Sequence, residues 1–264
     1  MKLLGNPSDL FLKAAEMAVE GGYAIDAENE KVIEALVCYF TNNIGFHTLK
    51  FGDQKLRLDK GIMLIGNPGS GKTMLLEILN MMVRNLPKMS SQVHHSIDIS
   101  AKIKKDGLPR ISQNMFVDEL GKEASYTRNY KEVEPMHDLI QSRYILWGKS
   151  RYLTHFTTML QTESADPSDI TIQSRYGAHS LSRLKQMCNI FGLGLSSSSR
   201  DRRNDTVPMP IDQIKNFPKF YETEKEKEQR EYNEWYAKHR AIEMAKPPEP
   251  HVGLGTRMRI AVGR

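Results

Sequence analysis

The residues of this chain with the most evident chemistry are Gly66-Asn67-Pro68-Gly69-Ser70-Gly71-Lys72-Thr73. They fit G-x-x-x-x-G-K-[ST], a loop whose backbone N–H groups can wrap closely around phosphate oxygens because glycine puts no side chain in the way. In such a loop the lysine reaches the β- and γ-phosphates and the hydroxyl of the last residue ligates Mg²⁺. The pattern therefore predicts that Gly66 to Thr73 bind ATP, with Lys72 on the phosphates and Thr73 on the metal. A second piece is Met115-Phe116-Val117-Asp118-Glu119. A phosphate-loop hydrolase needs one carboxylate near Mg²⁺ at the end of a neighbouring buried strand, and Asp118 suits it. It also needs a base to activate water, and Glu119 suits that.

These residues do their work only if the chain holds them on the right elements. Ile62 to Ile65 is a short apolar run bounded by glycines, which predicts a buried strand, and Met74 to Leu79 begins a helix. The helix would aim the positive end of its dipole at the same phosphates. From Leu56 the pattern alternates strand and helix. Strands are expected at Val93–Ile97, Met115–Glu119, Tyr152–Thr158 and Ile190–Leu195, with helices at 101–105, 132–146 and 178–187. Such alternation implies a parallel sheet covered by helices on both faces. Two helices precede the loop. One covers 8–20 with Ser8 as N-cap and Gly21-Gly22 as its stop; the other has Asp26 as N-cap and Val32, Ile33, Leu36, Val37 and Phe40 on one face. The expectation is a helical lead-in over 1–50, an ATPase core over 51–204, and an extension over 205–264.

The 264 residues, 39% of them hydrophobic, can build a real core, and a mean hydropathy of -0.50 marks a polar surface. No apolar run approaches the ~18 residues of a membrane span, and no secretory signal is evident. Cys38 and Cys188 sit in apolar segments and read as buried free thiols of a reducing cytoplasm. His94-His95 has no nearby partner in sequence and leads into a strand. The net charge of +5 mildly favours an anionic partner. In the extension, residues 222–246 are highly charged, with Glu226/Arg230 and Glu234/Lys238 as i, i+4 pairs supporting a helix. Tyr232, Trp235, Tyr236 and His239 line one side of it, ahead of Pro247-Pro248 and a tail carrying Arg257, Arg259 and Arg264.

A third group of residues is Thr154 to Thr158, Ser174-Arg175-Tyr176-Gly177 and Ser182-Arg183-Leu184. With the glycine loop and Val117-Asp118-Glu119-Leu120-Gly121, these make the chain resemble the AAA+ ATPases of the bacterial helicase-loader group, typified by DnaC, and the related IstB-type transposition helpers. The resemblance spans roughly residues 25 to 203. It implies an AAA+ P-loop NTPase fold of the α/β class. It further implies that Arg183 acts as an arginine finger completing the ATP site of a neighbouring subunit, with Arg175 supporting or at the interface. One of Arg200, Arg202 and Arg203 would sense nucleotide, with Arg202 the first candidate. The family commonly has Asn near the end of the Thr-rich strand, to help hold the attacking water. This chain has Met159 there, which cannot orient a water by a strong hydrogen bond, so Thr158 would have to substitute or turnover would be slow.

The reading is an ATP-dependent, Mg²⁺-dependent DNA replication factor, assembling head to tail as a ring or spiral and loading a hexameric replicative helicase onto single-stranded DNA. Lys102, Lys104 and Lys105 are candidates for the DNA contact. No aromatic stacking platform is evident, so single-strand affinity should be mainly electrostatic. The rivals are a transposition helper that binds duplex DNA and a transposase, a P-loop small-molecule kinase, and a nucleotide-gated scaffold.

Overall fold

The computed structural model describes residues 2–3, 6–20, 22–84, 90–109, 111–128, 130–195, 201–202, 207–208, 221–222 and 224–244. Five strands form its main sheet: β1 (Gly61–Ile65), β2 (Gln92–His95), β3 (Met115–Leu120), β4 (Thr154–Thr158) and β5 (Cys188–Gly192). Their order across the sheet is β2-β3-β4-β1-β5, and every neighbouring pair is parallel. This is the α/β architecture that the alternating pattern predicts.

The helices are α1 (Pro7–Ala18), α2 (Glu30–Phe40), α3 (Lys72–Met82), α4 (Ser96–Asp106), α5 (Pro135–Ser150) and α6 (Ile172–Met187). Strand β1 is buried at all its positions, and its alternation assigns the two faces of the sheet. Ile62 and Leu64 join a core with residues of α1, α2 and α3, whereas Met63 and Ile65 join a second core with residues of α4, α5 and α6. Burial on both faces is why β1 reads as a continuous apolar run. Gly61 is required by close approach: a Cβ there would stand 1.8 Å from the Thr154 carbonyl oxygen of the adjacent strand.

Several element ends differ from the sequence expectation. Helix α1 is capped by Asn6, whose side chain accepts from the Ser8 N–H at 3.0 Å, so Ser8 lies inside the helix. Helix α2 begins at Glu30 after Asn29; Asp26 instead closes the preceding turn by accepting from the Glu28 N–H. Helix α6 starts six residues earlier than its apolar spacing indicates, behind a capping box of Thr171 and Ser174, and is kinked at Gly177 (φ 85°). The sequence pattern found only the part beyond the kink. The hairpin Tyr126–Arg128/Lys131–Val133 was not foreseen. Residues 85–89, after α3, fall outside the described residues, as does everything after Met244.

Two compact units divide the chain, one spanning Lys2–Tyr221 and the other Glu222–Arg264 with Met1. Helices α1 and α2 therefore belong to the first unit, sharing the core of α3. The second unit contains helix α7 (Glu224–Met244). Within it Arg230 pairs with Glu222 and Glu234, each at 2.8 Å. Tyr232 stacks against Trp235 and Tyr236 on its exposed surface. Among the described residues no helix is long and apolar enough to cross a membrane.

A buried histidine sits beneath the sheet. His155 on β4 accepts a hydrogen bond at Nδ1 from the Ile62 N–H of β1 at 3.1 Å, packed against the rings of Tyr39 and Phe40. Burial, assisted by the Arg143 charge, holds its pKa down at about 3, against an ordinary 6.5. The unfolded chain therefore takes up a proton first as pH falls. The stability tied to neutral His155 is complete above its unfolded pKa and is lost at up to about 1.4 kcal/mol per pH unit below it. In urea unfolding, the stability gap between the native chain and His155→Gln should shrink steadily from pH 7 to pH 4.5. A gap that stays constant would show that His155 does not titrate in this way.

Candidate active site

The glycine loop joins the end of β1 to the start of α3, at the carboxyl edge of the sheet. Its first residue is clamped between strands: the Gly66 N–H donates to the Thr158 carbonyl at 3.1 Å, and a Cβ on Gly66 would stand 1.8 Å from the Leu193 carbonyl oxygen. Gly71 occupies the N-cap position of α3 at φ 84°, a left-handed conformation that costs glycine nothing. It supplies no side-chain cap, so the first turn of α3 presents backbone N–H groups toward the loop. Lys72 is buried, and its ammonium donates to the carbonyls of Gly66 and Asn67, both at 2.8 Å, and to Ser70 Oγ at 3.3 Å. The lysine thus braces its own loop.

Asp118 is the point on which neighbouring strands converge. Only 2% exposed, it accepts from Thr73 Oγ1 of α3 at 2.8 Å and from Thr157 Oγ1 of β4 at 2.5 Å. His95, at the end of β2, brings Nδ1 to 3.3 Å from the other carboxylate oxygen. Glu119 follows in a left-handed conformation (φ 57°), where the β3–β4 register shifts between Val117 and Leu120. A regular strand sends consecutive side chains to opposite faces. The bulge re-aims one of them, so that Asp118 reaches Thr73 while Glu119 lines the same cleft. The strained Glu119 is fixed at both backbone groups: its N–H donates to Thr157 Oγ1 at 2.9 Å, and its carbonyl accepts from Ser96 Oγ at 2.7 Å. Its carboxylate pairs with the Lys122 ammonium.

Around these groups lies a cleft of about 410 Å³, with Gly69, Lys72, Thr73, Glu119 and Thr157 among its lining residues. Glu77 of α3 also lines it, and burial and the nearby Asp118 charge raise its pKa. Met159 is in the wall, 39% exposed. Thr158 also lines the cleft, its hydroxyl donating to the Leu120 carbonyl at 2.7 Å and accepting from the Leu160 N–H at 3.0 Å. The hydroxyl beside the two acids belongs to Thr157.

Arg202 lines the cleft, its N–H donating to the Gly69 carbonyl at 2.9 Å. Its guanidinium turns to Asp26 Oδ2 at 2.5 Å and to the Ala24 carbonyl at 3.2 Å. The Asp26 carboxyl is held below its usual pKa by that contact, against the opposing effect of burial. Tyr23 closes the same side, its hydroxyl 3.4 Å from the Gly71 carbonyl and its pKa pushed up to about 12 by burial. Arg200 and Arg203 fall outside the described residues. Arg183 does not line this cleft; half-buried on α6, its guanidinium lies 5.1 Å from the centre of the Tyr144 ring. Arg175 is tied inward, donating to the carbonyls of Gly121 and Glu123.

The donor set suits Mg²⁺, a hard ion that takes oxygen ligands and keeps much of its water. Thr73 Oγ1 and an Asp118 oxygen already lie together beside the loop. The spacing of the motifs had singled out Lys72, Thr73, Asp118 and Glu119. It missed His95, Thr157, Glu77 and Lys122. His95 is the register partner of Asp118 on the neighbouring parallel strand, a relation that the chain order alone does not display.

No protein-family model matches the sequence, and no curated protein matches it. Among solved structures, the DnaC helicase loader is similar at 16% identity and a TM-score of 0.44, over 69% of this chain and 98% of that one. DnaI is similar at 17% identity and a TM-score of 0.43, over 71% and 94%. At these identities and scores no residue role is carried across.

Thr157→Val removes a hydroxyl that serves both acids. By analogy with outer-shell partners of metal sites, it should weaken Mg²⁺-dependent nucleotide binding by about 10–100-fold, and Thr157→Ser should restore most of it. A fluorescent ATP analogue titrated with and without Mg²⁺ reads this directly. Equal weakening in both conditions would mean that Thr157 supports the loop and not the metal ligand.

Proposed function

We propose that this chain is a Mg²⁺-dependent ATPase that acts as a DNA replication factor, loading a hexameric replicative helicase onto single-stranded DNA. The observation that carries the ATPase part is the convergence of Lys72, Thr73, Asp118 and Glu119 on one cleft at the mouth of a glycine loop. Gly66 to Gly71 cradle the phosphates with backbone N–H groups, and Lys72 releases its loop carbonyls to reach the β- and γ-oxygens. Thr73 and Asp118 hold the metal, which when bound neutralises charge on the phosphates. Glu119 leaves Lys122 to accept the proton of the attacking water. Arg202 sits at the nucleotide's edge of the cleft. The helicase, the single-stranded DNA and a cytoplasmic setting follow from the motif resemblance.

Arg183 fits the role of a finger supplied in trans. It is absent from the cleft of its own chain and rests on an aromatic face, from which it can be presented to a neighbour. A guanidinium placed on the transferring phosphoryl group raises the rate by roughly 10³–10⁵. Head-to-tail repetition of that contact gives a ring or spiral.

A second reading is supported by two specific observations: Glu119 is paired with Lys122, and Met159 stands where a water-holding amide is expected. ATP then works mainly as an assembly switch, with slow turnover.

Oligomer size and ATPase rate, measured with and without ATP, single-stranded DNA, duplex DNA and a hexameric helicase, separate these readings. The loader reading expects ATP-dependent assembly and a rate that responds to helicase and single strand; a monomer indifferent to all of them would sink it. Arg183→Ala and Glu119→Ala should each bind ATP and lose turnover. Mixed together they should regain part of it through hybrid interfaces, and no recovery at any ratio counts against the finger in trans.

A further inference from the structure

The charged residues that line the nucleotide cleft are Lys72, Glu77, Glu119, Lys122 and Arg202. Four of them are already engaged. Lys72 donates to the carbonyls of its own loop, Glu119 pairs with Lys122, and Arg202 pairs with Asp26. The fifth, Glu77, has no hydrogen-bond or ion-pair partner among the described residues. It is half-buried on α3, one helical turn beyond Thr73, so the two side chains share a face of that helix.

The surroundings of Glu77 make its charge costly. Burial raises its pKa most, and the Asp118 carboxylate raises it further, with His95 opposing both. A carboxylate partly removed from water, beside a second and more deeply buried one, is unfavourable unless something compensates it. Glutamine would give α3 the same side-chain shape and nearly the same helix propensity without that charge. A free nucleotide makes the balance worse, because its phosphates repel Glu77 and Asp118 together. A divalent cation between the acids and the phosphates reverses the sign.

We propose that Glu77 makes this site select the metal complex of the nucleotide against the free nucleotide. With Mg²⁺ on Thr73 and Asp118, the Glu77 carboxylate accepts hydrogen bonds from water that the ion retains. Without it, the same carboxylate repels the phosphates. His95 contacts Asp118 at Oδ2 while Thr73 bonds to Oδ1, so the ligand carboxylate stays turned toward Thr73. A sugar hydroxyl would also satisfy Glu77, but it would do so equally with and without metal. This proposal deepens the ATPase reading and rests on it.

The test measures binding of a fluorescent ATP analogue to the full chain, native and Glu77→Gln, in Mg²⁺ and in EDTA. The two buffers should move in opposite directions. In EDTA the variant should bind about 3–10-fold more tightly, having lost one like charge across a wetted cleft. In Mg²⁺ it should bind about 10–100-fold more weakly, as when a partner just outside a metal's ligands is removed. Glu77→Asp keeps the charge and should stay closer to the native chain in both buffers. The variant loses only an unpaired charge, so a thermal melt should show the native stability or better. A preference for the Mg²⁺ complex that does not shrink in Glu77→Gln, or binding that tightens in Mg²⁺ as well, overturns the assignment. Either result leaves the ATPase reading standing, since the native chain still takes the Mg²⁺ complex. A native chain that binds the analogue in neither buffer ends both.

Discussion

The structure depends on burying one carboxylate. Asp118 is almost wholly removed from water, and a buried charge is tolerated only when it is paired and hydrogen-bonded. Its partners come from three directions: Thr73 from α3, Thr157 from β4 and His95 from β2. The strand order β2-β3-β4-β1-β5 makes this possible. It sets β3 between the strands carrying His95 and Thr157, and it brings α3 over the same edge from β1. A phosphate loop alone needs only a strand, a turn and a helix; gathering these three partners around Asp118 needs the strand order as well.

The second constraint is the break in β3. Two acids in succession cannot serve one cleft from a regular strand, and the register shift with a left-handed Glu119 resolves the conflict. The cost of that conformation is met by the hydroxyls of Thr157 and Ser96, which hold Glu119 by its N–H and carbonyl. Thr157 therefore acts twice, as donor to Asp118 and as acceptor from Glu119, and β4 needs a hydroxyl at that point. Met159, two residues further on, lines the cleft wall.

What was legible in the sequence follows from how local each determinant is. The glycine loop, the apolar run of β1 and the Asp118-Glu119 pair are written in contiguous residues, and the structure brings them together as their spacing implies. The cap of α2 was misplaced because Asp26 has a long-range role: its carboxylate pairs with Arg202, which follows the last sheet strand. A sequence window around Asp26 contains no sign of that partner. The first half of α6 was missed because Gly177 interrupts its pattern, and the hairpin because Tyr126–Val133 lacks the apolar alternation of a strand with a buried face. His95 was missed since its partner lies across the sheet, not along the chain.

The opposite edge of the sheet shows why the site keeps its geometry. Arg143 on α5 is buried, and its guanidinium donates to the carbonyls of Ile111, Gln113 and Leu153 and to Thr154 Oγ1, at 2.7–3.0 Å. Burial lowers its pKa to about 10, which still leaves it charged at neutral pH. These acceptors lie at and just before the starts of β3 and β4, so one side chain sets the two strands side by side. From Met115↔Thr154 the ladder runs in step to Val117↔Phe156 and then shifts at the bulge. A slip of one residue would exchange the two faces of β3 and carry Asp118 away from Thr73. The arginine at one end of the pair thus helps fix which residues meet at the other, and the carboxylate that would hold the metal is positioned from the far side of the sheet as well as from its own neighbours.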